Sequence, residues 1–235
     1  MKYSSKLSIQ ILLSVSFLML SACSQIDSSE VDASSIYGEL RLSRSEASSN
    51  VTASASLFVG GSTGTVVRLE SPASVTINGQ STSEVTDIVK MISYQQTVPV
   101  SAGLVTIVYL DKAGTSFKNT LQIPGSFSLA LPGSASKAAG LNLSYSTDVG
   151  FLPGESIEVN LESGNSMNMV HGSLVTGATT GTLNVSTTDL NELTPGNLTV
   201  SICRSSRPNV QAPFPKGADA YIESCSNSKT VTLNN

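Results

Sequence analysis

The chain is written in short runs of alternating apolar and polar residues, each closed by Gly, Asn, Asp or Pro. A period of two is what a half-buried β-strand requires. The plainest case is Leu104-Val105-Thr106-Ile107-Val108-Tyr109-Leu110, followed by the turn residues Asp111-Lys112-Ala113-Gly114 and a returning run from Thr115 to Ile123. Ser54 to Val59, the glycine-rich stretch Gly60 to Gly64 and Thr65 to Leu69 read as a second hairpin. Ile36 to Leu42 opens the series, and Val75-Thr76-Ile77 ends at Asn78-Gly79, a strong two-residue turn signal. Only 13% of residues are charged and none is Trp. Such a composition suits a secreted β protein with neutral polar faces and does not suit a helical bundle or coiled coil.

The series restarts after Pro132 to Lys137, a polar, breaker-rich stretch near the midpoint that reads as a domain boundary. Leu141 to Tyr145, Ser156 to Leu161, Met167 to His171, Thr182 to Ser186, Leu198 to Cys203, Ala220 to Ser224 and Thr230 to Leu233 then supply about seven strands, as a constant-type sandwich requires. The expectation is an all-β protein of two tandem β-sandwich modules, residues 36–131 and 138–235. One segment departs from the pattern. Ser81 precedes Glu84 as a capping box, and Val85, Ile88, Val89 and Ile92 recur at helical spacing, so residues 81–93 read as a short helix or helical turn. A loop feeding a strand from Ser93 to Val98 is the alternative.

The first residues carry an address. Lys2 and Lys6 form a positive n-region, Leu7 to Leu20 is largely apolar, and Leu20-Ser21-Ala22-Cys23 closes the run with small residues. This run is shorter than the roughly 20 apolar residues a spanning helix needs. Leu20-Ser21-Ala22-Cys23 resembles the lipobox of bacterial prolipoproteins. The resemblance implies that residues 1–22 are a signal peptide and that Cys23 becomes an acylated first residue, the link to a membrane. Ser24 is not the aspartate of an inner-membrane retention signal, so the same resemblance implies an outer-membrane destination in the cell envelope. Ser24 to Ser35 is small and polar, and residues 23–35 are expected to be the lipidated cysteine and a flexible tether.

With Cys23 assigned to lipid, Cys203 and Cys225 remain as an even pair in an oxidising compartment. A disulfide is the expected reading, and two buried free thiols are the alternative. Between them lie Arg204, Arg207 and Lys216 among Pro208, Pro213, Phe214 and Pro215. A loop closed at its ends by a disulfide is a candidate recognition loop, and these three cations are its candidate binding residues.

Signals for catalysis are thin. Gly60-Gly61-Ser62-Thr63-Gly64 matches the pattern of a nucleophile elbow, but its exit is a strand, Thr65 to Leu69, where the elbow needs a helix. His171 is the single histidine, so a serine triad has one choice of base, and a zinc site lacks ligands. Glu158 and Glu162 share the polar face of one strand with Glu155 just before it, a pattern that solvation explains better than acid–base catalysis, which would need a concave pocket. No cofactor is expected. The chain holds 13 Lys and Arg against 17 Asp and Glu, two of the lysines in the leader, which gives no footprint for nucleic acid.

Two Pro-Gly turns feeding alternating strands, Leu152-Pro153-Gly154-Glu155-Ser156-Ile157 and Thr194-Pro195-Gly196-Asn197-Leu198-Thr199-Val200, complete the picture. With the strand pattern from Leu104 to Ile123, they resemble uncharacterised bacterial lipoproteins with tandem immunoglobulin-like, fibronectin III-like modules. That family carries no assigned activity; the leading expectation for this chain is a non-enzymatic envelope spacer or binding module, anchored by lipid, that uses loops or sheet edges to meet a protein or glycan. A hydrolase of envelope polymers and a periplasmic assembly factor that lends a sheet edge are the competing expectations.

Overall fold

The structure, a computed structural model, describes residues 25–46, 48–173 and 175–235. The signal peptide expected at 1–22 and the expected lipidation site Cys23 lie outside the described residues.

The first half contains β1 Gln25–Asp27, β2 Ile36–Ser45, β3 Asn50–Val59, β4 Thr65–Arg68, β5 Ser74–Ile77, β6 Gln80–Ser81, β7 Ser83–Thr86, β8 Ile92–Pro99, β9 Leu104–Leu110 and β10 Ser116–Gln122. β2 pairs with one side of β3, while β8 and β4 share its other side. β10, β9, β5 and β6 form a second sheet. Leu40, Leu42, Ala53, Ala55 and Leu57 from one sheet join Val75, Ile77, Val105, Ile107 and Leu121 from the other in one buried cluster, the arrangement of a sandwich. Both turns read from the sequence form as their chemistry dictates. Asn78 and Gly79 take positive φ in a two-residue connection from β5 to β6. Asp111 Oδ1 accepts from the N–H groups of Ala113 and Thr115 at 2.9 and 2.7 Å between β9 and β10.

Residues 25–35 are not a loose tether. β1 pairs in parallel with β4 at the sheet edge, Ser28 and Val31 are buried, and Ser28 Oγ accepts from Glu70 N at 2.8 Å. Lys112 Nζ donates to the Val31 carbonyl at 2.6 Å. Ile26 and Val31 supply enough apolar surface to dock the segment, and its polar groups bond locally, as when Asp32 accepts from Ser34 N. Nor do residues 81–93 form a helix. They make the end of β6, then β7, a turn, and the start of β8, because the Asp87 carboxylate accepts from Val89 N and Met91 N and closes the chain on itself. The helical spacing has no apolar surface to face: of its four residues only Ile92 is buried.

The second half contains β11 Phe127–Ala130, β12 Ser134–Ser136, β13 Leu141–Thr147, β14 Ser156–Ser163, β15 Ser166–Gly172, β16 Thr180–Val185, α1 Thr187–Asn191, β17 Gly196–Ser206, β18 Ala218–Cys225 and β19 Lys229–Asn234. β11, β13 and β16 form one sheet, and β15, β14, β17, β19 and β12 run in the other. Phe127, Leu143, Tyr145 and Phe151 meet Ile157, Val159, Leu161, Val200 and Ile202 in a second buried cluster. The five-residue α1, capped by Ser186 and Asp189 in a reciprocal box, adds Leu190 to it.

The buried clusters divide the chain differently from the expected 36–131 and 138–235. Ile123 belongs to the first cluster and Phe127 to the second, so the change of core falls at Pro124 to Ser126. Residues Ser134–Ser136, inside the expected linker, are a strand paired in parallel with β19. All seven strands expected in the second half form, but β18 does not serve the second core alone. It pairs antiparallel with β17 only from Cys203↔Cys225 to Ser206↔Ile222, and in parallel with β2 along its whole length, from Ala218↔Gly38 to Cys225↔Ser45. Ala220, Ile222 and Phe214 are buried in the first cluster. Phe214 lies on Gly38, where an added Cβ would stand 1.8 Å from its ring, and packs against Tyr109 and Phe117 at centroid distances of 5.1 and 5.6 Å.

Cys203 and Cys225 are joined, directly opposite one another on β17 and β18. The bridge spans a sequence separation of 22 that contains Phe214, Ala220 and Ile222. Its loss therefore acts on the first core as well as the second.

Phe214→Ala is expected to cost about 3–5 kcal/mol, read from urea unfolding; a cost under about 1 kcal/mol would mean that this segment does not complete the first core. Reduction of the disulfide is expected to remove roughly 3 kcal/mol by the chain-entropy argument for a loop of this length. In hydrogen exchange, the loss of protection should include β2 and β9. Loss confined to β14, β15 and β17 would contradict the shared core.

Candidate functional site

The sheet that joins the two cores turns one face outward, and strand alternation decides what stands there. Leu40 and Leu42 of β2 and Ala220 and Ile222 of β18 point into the first core, so Tyr37, Glu39 and Arg41 and then Asp219, Tyr221 and Glu223 point out. Parallel register sets Glu39 opposite Asp219 and Arg41 opposite Tyr221. The result is a pocket of about 310 Å³ lined by Glu39, Leu40, Arg41, Arg207, Asp219 and Tyr221.

Its centre is the Tyr221 ring. The Arg41 and Arg207 guanidinium carbons lie 5.2 and 5.5 Å from the ring centroid, within cation–π range. Arg41 also pairs with Glu223 at 3.4 Å, and the Tyr221 hydroxyl donates to Glu223 at 3.0 Å. Tyr37 donates its hydroxyl to Asp219. Burial, and then that bond to an anion, pushes the Tyr37 phenol up to about 12. Burial also raises the Glu39 carboxyl, with Asp219 adding to the rise and Arg207 and Arg41 opposing it. A second hollow of about 270 Å³ shares Arg207 and Tyr221 and continues across Gly154, Ser156, Glu158, Ser205 and Ser206. The combined surface offers an aromatic face, two guanidinium groups, carboxylates and hydroxyls. Together they can stack on a flat face and both donate and accept hydrogen bonds.

Of the cations expected to bind, Arg207 lines both hollows, Lys216 is exposed but lines neither, and Arg204 is elsewhere. Arg204 is a strand residue of β17 facing inward, 1% exposed. It donates to Thr147 Oγ1 at 2.9 Å and to the Val149 carbonyl at 2.8 Å, pairs with Glu155, and lies 4.6 Å over the Phe151 ring. Its neighbours Cys203 and Ser205 face outward, so alternation alone turns it away from solvent. The segment between the cysteines is pinned along its length. Gln211 Oε1 accepts from Thr120 N, Asn119 exchanges two bonds with Ala212, and Lys216 N donates to the Ile36 carbonyl.

Of the residues considered for catalysis, His171 and Glu158 come together across β14 and β15, while Ser62 stands on a different part of the fold. Ser62 sits in the turn between β3 and β4, with a strand on each side, and His171 sits on β15 at the far edge of the shared sheet. His171 Nδ1 lies 3.9 Å from Glu158, both on the outer face, while Glu155 is committed to Arg204. No group of three His, Cys, Asp or Glu among the described residues is placed to hold a metal ion.

Sequence reading missed Tyr37, Glu39, Arg41, Asp219 and Tyr221. Their signal was present as polar residues two apart in Tyr37-Gly38-Glu39-Leu40-Arg41 and Asp219-Ala220-Tyr221-Ile222-Glu223. What the sequence did not disclose is that these two stretches, some 180 residues apart, are neighbours.

No protein-family model matches the chain, and no curated protein matches its sequence. Among solved structures it is similar to a tetra-tandem repeat from the extending region of a large adhesion protein, at 16% identity and a TM-score of 0.32. That similarity covers 83% of this chain and 50% of the other.

Proposed function

We propose that the protein is a non-enzymatic envelope module, held to the outer membrane by lipid on Cys23, that works as a stiff spacer and presents the Tyr221 pocket to a glycan or protein. The observation that carries this reading is the parallel pairing of β18 with β2. It binds both cores into one hydrogen-bonded sheet, which resists bending at the joint, and it builds the pocket on that sheet. The apolar run from Leu7 to Leu20 and the small residues before Cys23 support the anchor.

Replacement of Cys23 by Ser, in a form whose leader is removed by another route, is expected to move the protein from the membrane pellet to the soluble fraction, because the acyl chains supply the attachment. Retention of the cleaved variant in the pellet until detergent is added would overturn the anchor. For the pocket, the soluble mature chain is expected to retain envelope glycans or a defined envelope protein on an affinity column. Tyr221→Ala and Arg207→Ala should each weaken that retention about tenfold or more, as loss of a central aromatic or arginine contact does, with unchanged thermal unfolding. His171→Ala should leave it unaltered. A hydrolytic activity lost on His171→Ala or Ser62→Ala, with the fold intact, would favour an enzyme.

A further inference from the structure

The turn between β7 and β8 carries a cluster of large apolar side chains in water: Ile88 is 101% exposed, Val89 57% and Val85 41%. The turn is nevertheless a built structure. Asp87 N donates to the Met91 carbonyl at 3.0 Å, and Asp87 Oδ1 accepts from Val89 N at 2.9 Å and from Met91 N at 2.8 Å. Ile88 and Val89 are thus held outward on a closed loop. Its anionic groups are already engaged: the Asp87 carboxylate by those amides, and Glu84 by Arg68 at 2.8 Å. Lys90 is exposed between Val89 and Met91.

The position of this turn gives its exposure a meaning. Gln25 Nε2 donates to the Lys90 carbonyl at 3.0 Å. Gln25 opens β1, whose parallel pairing with β4 fixes it to the sheet edge. Cys23 stands two residues before Gln25 in the sequence, a reach of at most about 7 Å. An acyl anchor on Cys23 therefore brings the bilayer surface to this turn. Other exposed apolar residues, such as Met167 and Met169 of β15, belong to the second half and have no such link to the start of the chain.

We infer that the β7–β8 turn is a membrane-contact element: Ile88 and Val89 enter the interfacial layer of the bilayer that holds the Cys23 acyl chains, with Lys90 against lipid phosphate. This inference rests on the lipid-anchor reading. The apolar pair adds a second point of attachment beside the acyl chains, and two points restrict the angle at which the first sandwich stands on the membrane.

The chain has no Trp, so one introduced Trp is a lone reporter. Full-length acylated protein carrying Ile88→Trp is reconstituted into phosphatidylethanolamine–phosphatidylglycerol vesicles, with Met167→Trp, another exposed position, as its counterpart. The expected result is blue-shifted emission from Ile88→Trp, quenched severalfold more strongly than Met167→Trp by lipids brominated on their acyl chains. Water-like, unquenched emission from Ile88→Trp on protein whose N-terminal peptide shows acyl chains by mass would overturn the inference and leave the anchor standing. An N-terminal peptide without acyl chains would overturn the anchor, and the inference with it.

Discussion

The parallel pairing of β18 with β2 is the constraint on which the rest of the structure depends. Parallel neighbours require a crossover, and here the crossover runs from Ser45 to Ala218, through nearly the whole second half of the fold. The first core is therefore incomplete until Phe214, Ala220 and Ile222 arrive from close to the end of the chain. Contacts of such sequence separation carry a large loop-closure cost. The cost is offset by eight in-register residue pairs, by a phenylalanine seated on a glycine and between two aromatic rings, and by the disulfide that holds β18 to β17.

Where the shared sheet passes from one core to the other, its inner face turns from aliphatic to cationic. Arg44 of β2 is 8% exposed and donates to the Pro124 carbonyl at 2.8 Å and to Asp148 at 3.2 Å; Arg204 of β17 serves Thr147, Val149 and Glu155. A guanidinium with five donors suits this place, because the connection at Pro124 to Ser126 and the loop after β13 direct carbonyls inward with no strand to receive them. Each charge is matched by a carboxylate, without which burial would be strongly unfavourable. Gly125 is required by the same crowding: an added Cβ would stand 2.8 Å from Arg204 Nη1, Asp148 Oδ1 and Thr147 Oγ1.

Local chemistry was legible in the sequence, and long-range pairing was not. Asn78-Gly79, Asp111 to Gly114 and the alternation from Leu141 to Leu233 are signals contained within a few residues, and each forms as read. The errors have a common cause. Residues 81–93 offer helical spacing, but periodicity predicts burial only if another element supplies a surface, and among the described residues none covers Val85, Ile88 or Val89. Ser24 to Ser35 looked like a tether because its two apolar side chains, Ile26 and Val31, are few; they suffice because β4 offers a free edge. Arg204 was read as a loop cation because the strand was expected to end at Cys203, whereas it continues to Ser206 and alternation takes the next side chain inside. The disulfide was legible by counting, but the core its loop completes was not.

The candidate site follows from the joint rather than being added to it. β2 and β18 each carry outward polar residues at every second position, and in-register parallel pairing brings like to like as readily as opposite to opposite. Glu39 consequently faces Asp219, an arrangement that is unfavourable for two carboxylates on adjacent strands. Three groups relieve it. Tyr37 donates to Asp219, and Arg41 and Arg207 oppose the rise in the Glu39 carboxyl. Because the two arginines also flank Tyr221, the relief of a repulsion between strands places an aromatic ring, two cations and two carboxylates around one hollow. A ligand that pairs with Glu39 or Arg207 acts on the same electrostatic balance that accompanies the β2–β18 contact.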